Sequence, residues 1–385
     1  MLRRDFLKTI GCIPLVCSVP NLAIAASANG QYQNLLVLIE FKGGNDGLNM
    51  VIPYADNNYY VLRPRIAIAR DQVLQLDERS GLHPALKSML PLWQASEVAI
   101  VQGVGYPDPN LSHFRSIEIW DTASASDEYL DKGWLSQTFT QFPPPADFAA
   151  EGVSIGSADL GPFAGGARAI VLNNAEQFTR QAKLADDAPV PASNAALAHI
   201  LDVEHNIRHA ARRLNGHYAF RTGFPATAFG SSLCTAAEVI ANQSGIAVVR
   251  ITLNGFDTHA NQAPTQAHLL AQFSDGIVAF KSALVELNRW NNSLIMTYSE
   301  FGRRPQDNAG NGTDHGTAAA HFIIGGKVKG GLYGKPPALN QLENGNLVHA
   351  VDFRSLYNTV GEKWWRLPAN SLMGGRFNRL DIIRT

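Results

Sequence analysis

Apolar and polar residues alternate in blocks along this chain, and the blocks have the lengths of strands and helices. Predominantly apolar runs of strand length lie at residues 34–41, 97–104, 246–253 and 293–299. Helical spacing of apolar residues separates them, at residues 83–94, 229–241 and 268–291. Apolar runs without polar alternation are typical of parallel strands that are covered on both faces. The alternation therefore predicts an α/β fold in which helices flank a large, mainly parallel central sheet.

Weaker patterns complete this picture. Short strands are predicted at residues 152–155 and 168–172, a long helix at 195–214, and a further helix within the tail at 348–367. The sequence contains no internal repeat and no long linker. We therefore expect residues 29–385 to form a single domain.

The N-terminus has the pattern of an export signal. Arg3 and Arg4 begin a twin-arginine pattern, a short apolar stretch follows, and two small-residue cleavage sites end at Ala25 and Ala28. This predicts a signal peptide over residues 1–28, cleaved after Ala25 or Ala28, with the twin-arginine export machinery as a partner. The mature protein would be periplasmic or otherwise exported. The alternative is a cytoplasmic protein that begins with a basic helix.

Composition narrows the class of partner. The chain has 385 residues, of which 45% are hydrophobic and 17% charged, with a formal net charge of −1. Such a chain can bury a large core. Lysine and arginine are dispersed, so no basic patch for nucleic acid is predicted. Beyond the N-terminus no apolar run reaches the roughly 18 residues that a membrane span requires.

Acidic and histidine residues cluster on three loops that follow three of the predicted strands. The candidate metal ligands are Asp46 on the first loop, Asp257 and His259 on the second, and Asp314 and His315, followed by His321, on the third. Loops at the carboxyl ends of strands are where open α/β sheets bind ligands. Three carboxylates and three imidazoles suit one or two divalent ions, with zinc expected and manganese or calcium as alternatives. Two such ions could clamp a phosphoryl or sulfuryl group during transfer.

A fourth loop carries a candidate nucleophile. Ser112 stands at the start of a predicted helix, where free N–H groups favour an anionic substrate or an alkoxide. Its alternative role is to cap that helix, and Ser116 and Thr313 remain rival nucleophiles. The other candidate residues are basic or amide side chains that could stabilise or bind the transferring group, namely Arg115, Lys42, Asn45 and Arg303.

Six motifs carry a resemblance to known families. They read GGNDGLN at 43–49, NLSHFRS at 110–116, FDTHANQ at 256–262, SEFGRR at 299–304, GTDHG at 312–316 and IGG at 324–326. Together they resemble the twin-arginine-exported family catalogued as domain of unknown function 1501 (DUF1501). Their order also resembles the alkaline phosphatase and sulfatase superfamily.

This resemblance implies a three-layer α/β sandwich with metal at the carboxyl ends of its strands. By this likeness Asp46, Asp314 and His315 would hold one ion, Asp257 and His321, with or without His259, would hold another, and Ser112 would be the nucleophile. The chain would then be a hydrolase of phosphate or sulfate esters of small molecules.

One departure leaves the second metal site open. In the superfamily the acid and the histidine of the second loop are four residues apart, whereas Asp257 and His259 are two apart. Residues two apart can reach one ion only if the backbone turns between them. The alternative function is therefore a noncatalytic periplasmic binding or assembly protein with a degenerate site. A redox cofactor is not indicated, because the first strand is not followed by G-x-G-x-x-G.

Overall fold

The computed structural model describes residues 32–172, 218–242, 245–369, 371–373 and 376–384, together with residues 194 and 210. The predicted signal peptide and nearly all of the predicted helix at 195–214 lie outside the described residues. The described residues from 32 onwards fall within one compact unit, Gln31–Thr385.

Twelve strands are described, and most of them belong to one sheet. Their bounds are β1 Leu35–Lys42, β2 Val51–Ile52, β3 Leu74–Gln75, β4 Gly81–Leu82, β5 Val98–Gly105, β6 Ala150–Ile155, β7 Ala169–Leu172, β8 Ile246–Asn254, β9 Ser293–Tyr298, β10 Ala319–Ile324, β11 Gly331–Gly334 and β12 Val351–Asp352. The main sheet has nine strands in the order β11-β5-β10-β9-β1-β8-β6-β7, with β12 also paired to β5. A small second sheet joins β2, β4 and β3.

The main sheet is parallel except at one strand. β1 pairs in parallel with β8 and β9, β6 with β7 and β8, and β5 with β11 and β12. Among the described strands of this sheet, β10 alone runs antiparallel to its neighbours β5 and β9. The predicted fold class, an α/β protein with a large, mainly parallel sheet, is confirmed.

Helices cover both faces of the sheet. They are α1 Gly47–Met50, α2 Asn57–Leu62, α3 Leu90–Gln94, α4 His113–Thr122, α5 Trp134–Gln141, α6 Ala228–Ala241, α7 Gln262–Glu286 and α8 Arg354–Thr359, with 3₁₀ turns at Pro84–Met89, Gly161–Phe163 and Trp290–Asn292 and a π turn at Val360–Trp364. Alternate residues of β1 belong to different cores. Val37 and Ile39 pack in the core that contains α6 and α7, whereas Leu36 and Leu38 pack in the core that contains α4, α5 and α8. This is why the strand reads as a continuous apolar run.

Some helix boundaries differ from the prediction for a physical reason. α7 begins at Gln262 rather than at residue 268. Pro264 falls in its first turn, where proline is tolerated because the missing N–H has no partner within the helix. The predicted helix at 83–94 is split into a 3₁₀ turn and α3, and prolines stand at the start of both segments. In the tail, α8 continues directly into the π turn.

The topology brings four loops to one edge. β8 and β9 both pair in parallel with β1, so these three strands point in the same direction. β10 is antiparallel to both β9 and β5, so β5 points in that direction as well. The loops at 43–46, 106–112, 255–261 and 299–318 therefore leave the same edge of the sheet. Within the described part of the chain, no helix has the length and apolar character of a membrane span.

Candidate metal centre

The edge where these four loops meet holds a cluster of imidazoles around one carboxylate. Donor atoms of His113, Asp257 and His315 all lie within 4.8 Å of one another. His259 joins them, because its Nε2 lies 2.9 Å from Nε2 of His315 and 3.1 Å from Oδ1 of Asp257. We call these four residues the His/Asp cluster.

His113 is oriented by a buried carboxylate. Its Nδ1 lies 2.9 Å from Oε1 of Glu300, a residue that is only 3% exposed and that also accepts a hydrogen bond from the Gly43 N–H. We assign the proton to Nδ1, which leaves the lone pair of Nε2 facing Asp257 Oδ2 at 3.5 Å. Carboxylates that fix one ring nitrogen in this way are usual behind metal-binding histidines. The hydrogen bond to Glu300 raises the pKa of His113.

His315 is oriented by a backbone carbonyl. Its Nδ1 lies 2.8 Å from the carbonyl oxygen of Leu111, which can only accept, so Nδ1 carries the proton. Nε2 is then an acceptor, and it lies 3.3 Å from Oδ1 of Asp257. Burial lowers the pKa of His315, which favours the neutral ring that a metal ion requires.

Asp257 and His259 reach the same point because the backbone turns between them. The N–H of Thr258 bonds to the carbonyl of Phe256 at 2.8 Å, which closes a three-residue turn centred on Asp257. Gly43 permits this turn to pack closely, since its φ is +118° and a Cβ there would lie 2.4 Å from the Asp257 nitrogen. The condition that the sequence left open, a turn between the two ligands, is therefore met.

The spacing of the donor atoms of His113, Asp257 and His315, all within 4.8 Å of one another, allows a single ion. Nε2 of His259 lies 2.9 Å from His315 and 3.1 Å from Asp257 but falls outside that mutually close set, and the other separations are 3.3 and 3.5 Å. Tetrahedral zinc, with bonds to nitrogen and oxygen near 2.0–2.1 Å, holds its ligand atoms about 3.3 Å apart. Three imidazoles and one carboxylate are also a donor set that zinc accepts. The residues present therefore fit a divalent ion of this kind.

The charge on Asp257 is secured by its neighbours. Partial burial alone would raise the pKa of this carboxyl, but the Arg303 guanidinium, whose Nη2 lies 2.6 Å from Oδ1, lowers it. Asp314 stands behind His259, with Oδ1 3.5 Å from Nδ1 of that ring. A hydrogen bond from Asn308 lowers the pKa of Asp314, whose side chain is 58% exposed.

Asp46 lies apart from the cluster and is fully engaged. Arg63 approaches both of its oxygens, at 2.5 and 2.9 Å, Gln262 donates to Oδ2 at 2.5 Å, and the N–H groups of Leu48 and Asn49 donate to Oδ1. Its side chain is 1% exposed. A guanidinium thus occupies the position where the sequence predicted an ion beside Asp46.

His321 also lies away from the cluster. It is in the middle of β10, fully buried, and its ring packs against Trp120 at 5.4 Å between centroids. Burial lowers the pKa of His321 to about 3. Its Nδ1 has no hydrogen-bond partner among the described residues.

Ser112 stands at the N-cap of α4, as predicted from the sequence. It is exposed and its side chain makes no capping hydrogen bond; of its two neighbours, His113 belongs to the cluster and Leu111 bonds to His315. The rival nucleophiles are buried and bonded, Ser116 to Tyr106 and Thr313 to Gln262.

The predicted basic and amide residues have separate roles. Arg115 is buried beneath Tyr129 and donates to the carbonyls of Ala125 and Ser126, so it shapes the loop after α4. Asn45 is buried, with its backbone N–H bonded to Ser299. Lys42 is half-exposed, 3.5 Å from Asp159.

Sequence reasoning assigned neither His113 as a ligand nor Glu300 as its partner, although Glu300 was noted among the polar residues of the loop after the strand at 293–299. His113 is adjacent to Ser112 at the predicted helix start, and Glu300 is the second residue after β9. Their proximity to strand ends was the available signal. The sequence could not show that His113 and Glu300 form a hydrogen bond with each other.

A model of the family described as "Protein of unknown function (DUF1501)" matches residues 96–370. No curated protein sequence matches the chain.

Among solved structures, Ps i-CgsB in complex with k-i-k-neocarrahexaose is 12% identical with a TM-score of 0.42, covering 87% of this chain and 72% of its own. The PsFucS1 sulfatase from Pseudoalteromonas sp. is 10% identical with a TM-score of 0.41, and the alignment covers 90% of this chain and 70% of the sulfatase chain. Alkaline phosphatase from the Antarctic bacterium TAB5 is 10% identical with a TM-score of 0.36, and the alignment covers 78% of this chain and 94% of the phosphatase chain. Similarities at this level assign no activity to this chain.

Proposed function

The chain belongs to the DUF1501 family, and we propose for it a function that rests on its own geometry: an exported, metal-dependent hydrolase of phosphate or sulfate esters. The observation that carries this proposal is the convergence of the His/Asp cluster. Three imidazole Nε2 atoms lie 3.1, 3.3 and 3.5 Å from the Asp257 carboxylate oxygens.

The proposed centre holds one ion. His113, Asp257, His259 and His315 would bind it, with Glu300 and the Leu111 carbonyl orienting two of the rings. Asp46 and His321 are left out, because the first is paired with Arg63 and the second is enclosed in the sheet. The four donors bring one negative charge, so a divalent ion leaves the centre positive. This favours anionic esters over neutral ones.

A bound divalent cation supplies two effects here: it lowers the pKa of a nearby hydroxyl and it offsets negative charge on the transferring group. The chain supplies the nucleophile and its position. The Ser112 oxygen would attack phosphorus or sulfur, the bond to the ester oxygen would break, and the alcohol would leave with the proton. Water would then cleave the serine adduct and release phosphate or sulfate.

Two further features support an anionic substrate. α4 is ten residues long, and the first N–H groups after Ser112 have no carbonyl partner within the helix, so they are available to oxyanions. Lys42 is exposed at the end of β1 and is a candidate contact for the substrate. Asn45 and Arg303, in contrast, hold the loops that carry the cluster.

Export is part of the proposal. It is supported by the twin-arginine pattern at Arg3 and Arg4 and by the two small-residue sites that end at Ala25 and Ala28. The mature chain would begin after one of them and act as a single domain outside the cytoplasm.

Metal content and ester turnover test this proposal together. We expect about one zinc or manganese ion per folded wild-type molecule by elemental analysis, and loss of that ion in His113→Ala and His315→Ala. His268→Ala is the matched control, because His268 is an exposed histidine on α7. Ser112→Ala should keep the metal and lose at least about a thousandfold of turnover on 4-nitrophenyl phosphate or sulfate, because its nucleophile is gone.

Unchanged metal in both histidine variants would refute the centre. Metal that is lost as expected, with no turnover of either ester by the wild type, would refute the hydrolase and leave a noncatalytic binding protein. Turnover that survives Ser112→Ala would refute the role of that serine.

A further inference from the structure

A cavity of about 220 Å³ lies beside the loop that carries Arg303. Its lining is mostly apolar and includes Leu48, Val51 and Leu347, and Arg303 forms part of its wall. Protein interiors rarely leave a space of this size unfilled. An apolar cavity of roughly 150 Å³ is enough to bind benzene, so this one is large enough for a bicyclic ring.

The cavity results from an irregularity in the sheet. The pairing of β5 with β10 shifts register opposite Ala319 to His321, and Gly103 in β5 has a φ of +67°. Such a bulge bends a strand and re-aims its side chains. The residues around it are small, since Gly103 and the alanines at 318–320 all line the space. The side chains that would fill a regular sheet are missing here.

A proline-containing segment also lines the cavity. It comprises residues 336–338, with Pro336 and Pro337. Proline fixes φ, so this segment resists collapse into the space. Val348, which is 48% exposed, lines the cavity and reaches solvent.

One polar side chain that lines this space is an amide. Gln102 is only 4% exposed, and its side chain makes no hydrogen bond to any of the described residues. Its amide atoms are not among the fully enclosed atoms without a partner, so they are accessible from the cavity, where water or a ligand can pair with them. The amide offers two N–H donors and one carbonyl acceptor. The cavity therefore combines a mostly apolar wall with a few polar side chains, and among these the Gln102 amide is buried and open to a ligand.

We propose that this cavity is a ligand site for a small mono- or bicyclic ring that carries one hydrogen-bonding group. The ring packs against Leu48, Val51 and the prolines, and its polar group pairs with the Gln102 amide. Ligand binding at this site requires neither the metal ion nor Ser112, so it is tested independently of the proposed hydrolase activity. A ligand here would contact Arg303, the residue that holds Asp257 in the His/Asp cluster.

Two matched probes test the site on the purified full chain. Indole and indene have the same bicyclic shape, but only indole has an N–H that the Gln102 carbonyl can accept. By titration calorimetry we expect one-to-one binding of both, with indole about tenfold tighter, as one added hydrogen bond to a buried group would give. Gln102→Leu should remove the preference and leave indene binding intact.

A second variant addresses the volume. Ala318→Leu places a larger side chain among the apolar lining residues and should weaken both probes by at least about tenfold. Val61→Ser is the control for surface adsorption, because Val61 is 74% exposed and does not line the cavity. It should change neither affinity.

Absence of saturable binding for both probes would overturn the proposal. So would an indole preference that persists in Gln102→Leu, or binding that weakens equally in Val61→Ser. Should Ala318→Leu fail to fold in a thermal melt, the selectivity change in Gln102→Leu still decides the outcome. Loss of metal or of ester turnover would leave these results unaffected.

Discussion

Asp46 and Asp257 follow adjacent parallel strands, yet the structure treats them in opposite ways. Asp46 is 1% exposed and each of its oxygens is bonded, with Arg63 as its cation. Asp257 has a side chain that is 47% exposed and is surrounded by three imidazoles. Both carboxylates are paired with an arginine, Arg63 for Asp46 and Arg303 for Asp257, so the difference between them is access: Asp46 is enclosed, whereas Asp257 stays open towards the imidazoles.

The largest expected effect comes from removing the cation beside Asp46. Arg63→Met leaves a fully buried carboxylate without its ion-pair partner, and breaking such a pair costs about 3–5 kcal/mol. We expect the free energy of unfolding in urea to fall by that amount. Metal content per folded molecule should stay the same, because Arg63 does not contact the His/Asp cluster.

Lys42→Met is the matched control at the same edge. The pair of Lys42 with Asp159 is about half-exposed at both side chains, so its loss should cost less than about 1 kcal/mol. Metal loss in Arg63→Met would contradict the contrast between Asp46 and Asp257, because it would show that metal binding depends on the Asp46–Arg63 pair.

A smaller effect is expected behind the cluster, at Glu300. Glu300→Gln keeps the shape but removes the charge that orients His113. Changes of this kind behind a ligand lower metal affinity about 10–100-fold, or about 1.4–2.7 kcal/mol. Competition with a chelator would measure the loss. Asp314→Asn should have a weaker effect, because Asp314 is exposed and 3.5 Å from His259. An equal or larger loss in Asp314→Asn would reverse this ranking.

The smallest effect concerns the buried histidine, His321. Its pKa is about 3 in the folded protein, below the usual 6.5, so the unfolded chain takes up the proton first. The stability contribution is fully present above pH 6.5 and declines as the pH falls towards 3. Between pH 7.5 and 5.5 the loss should be about 1.4 kcal/mol.

His321→Leu should remove this loss, so the stability of the variant relative to wild type should rise by about that amount over the same interval. His268→Leu, which changes an exposed histidine on α7, should show no such trend. Parallel pH profiles for wild type and His321→Leu would show that His321 can be protonated in place.

The sequence predicted the strands well because their signal is local. The run at 34–41 carries its own evidence, since both faces of β1 are buried in different cores. The same holds for the loops after β8 and β9, whose polar residues follow directly on apolar runs. The family was also predicted from local motifs, and the match over 96–370 confirms it.

The site was only partly predictable because contacts between residues far apart in sequence decide which side chains belong to it. Asp46 is engaged by Arg63, which lies in a stretch without regular pattern, and no local rule pairs them. His321 falls in a strand whose residues are all buried, so nothing in the pattern distinguishes it from its neighbours. His113 and Glu300 are 187 residues apart, and neither is recognisable as part of the site until the fold brings them into hydrogen-bond contact.

The hydrogen bond between His315 and the Leu111 carbonyl joins positions 204 residues apart. A loop of that length must close before the donors of the cluster meet, so contacts of high sequence separation set the pace of assembly. A half-folded chain that lacks this contact therefore lacks the complete set of donors. A bound ion would stabilise only molecules that have finished folding. The time course of metal uptake would then report the completion of the whole sheet.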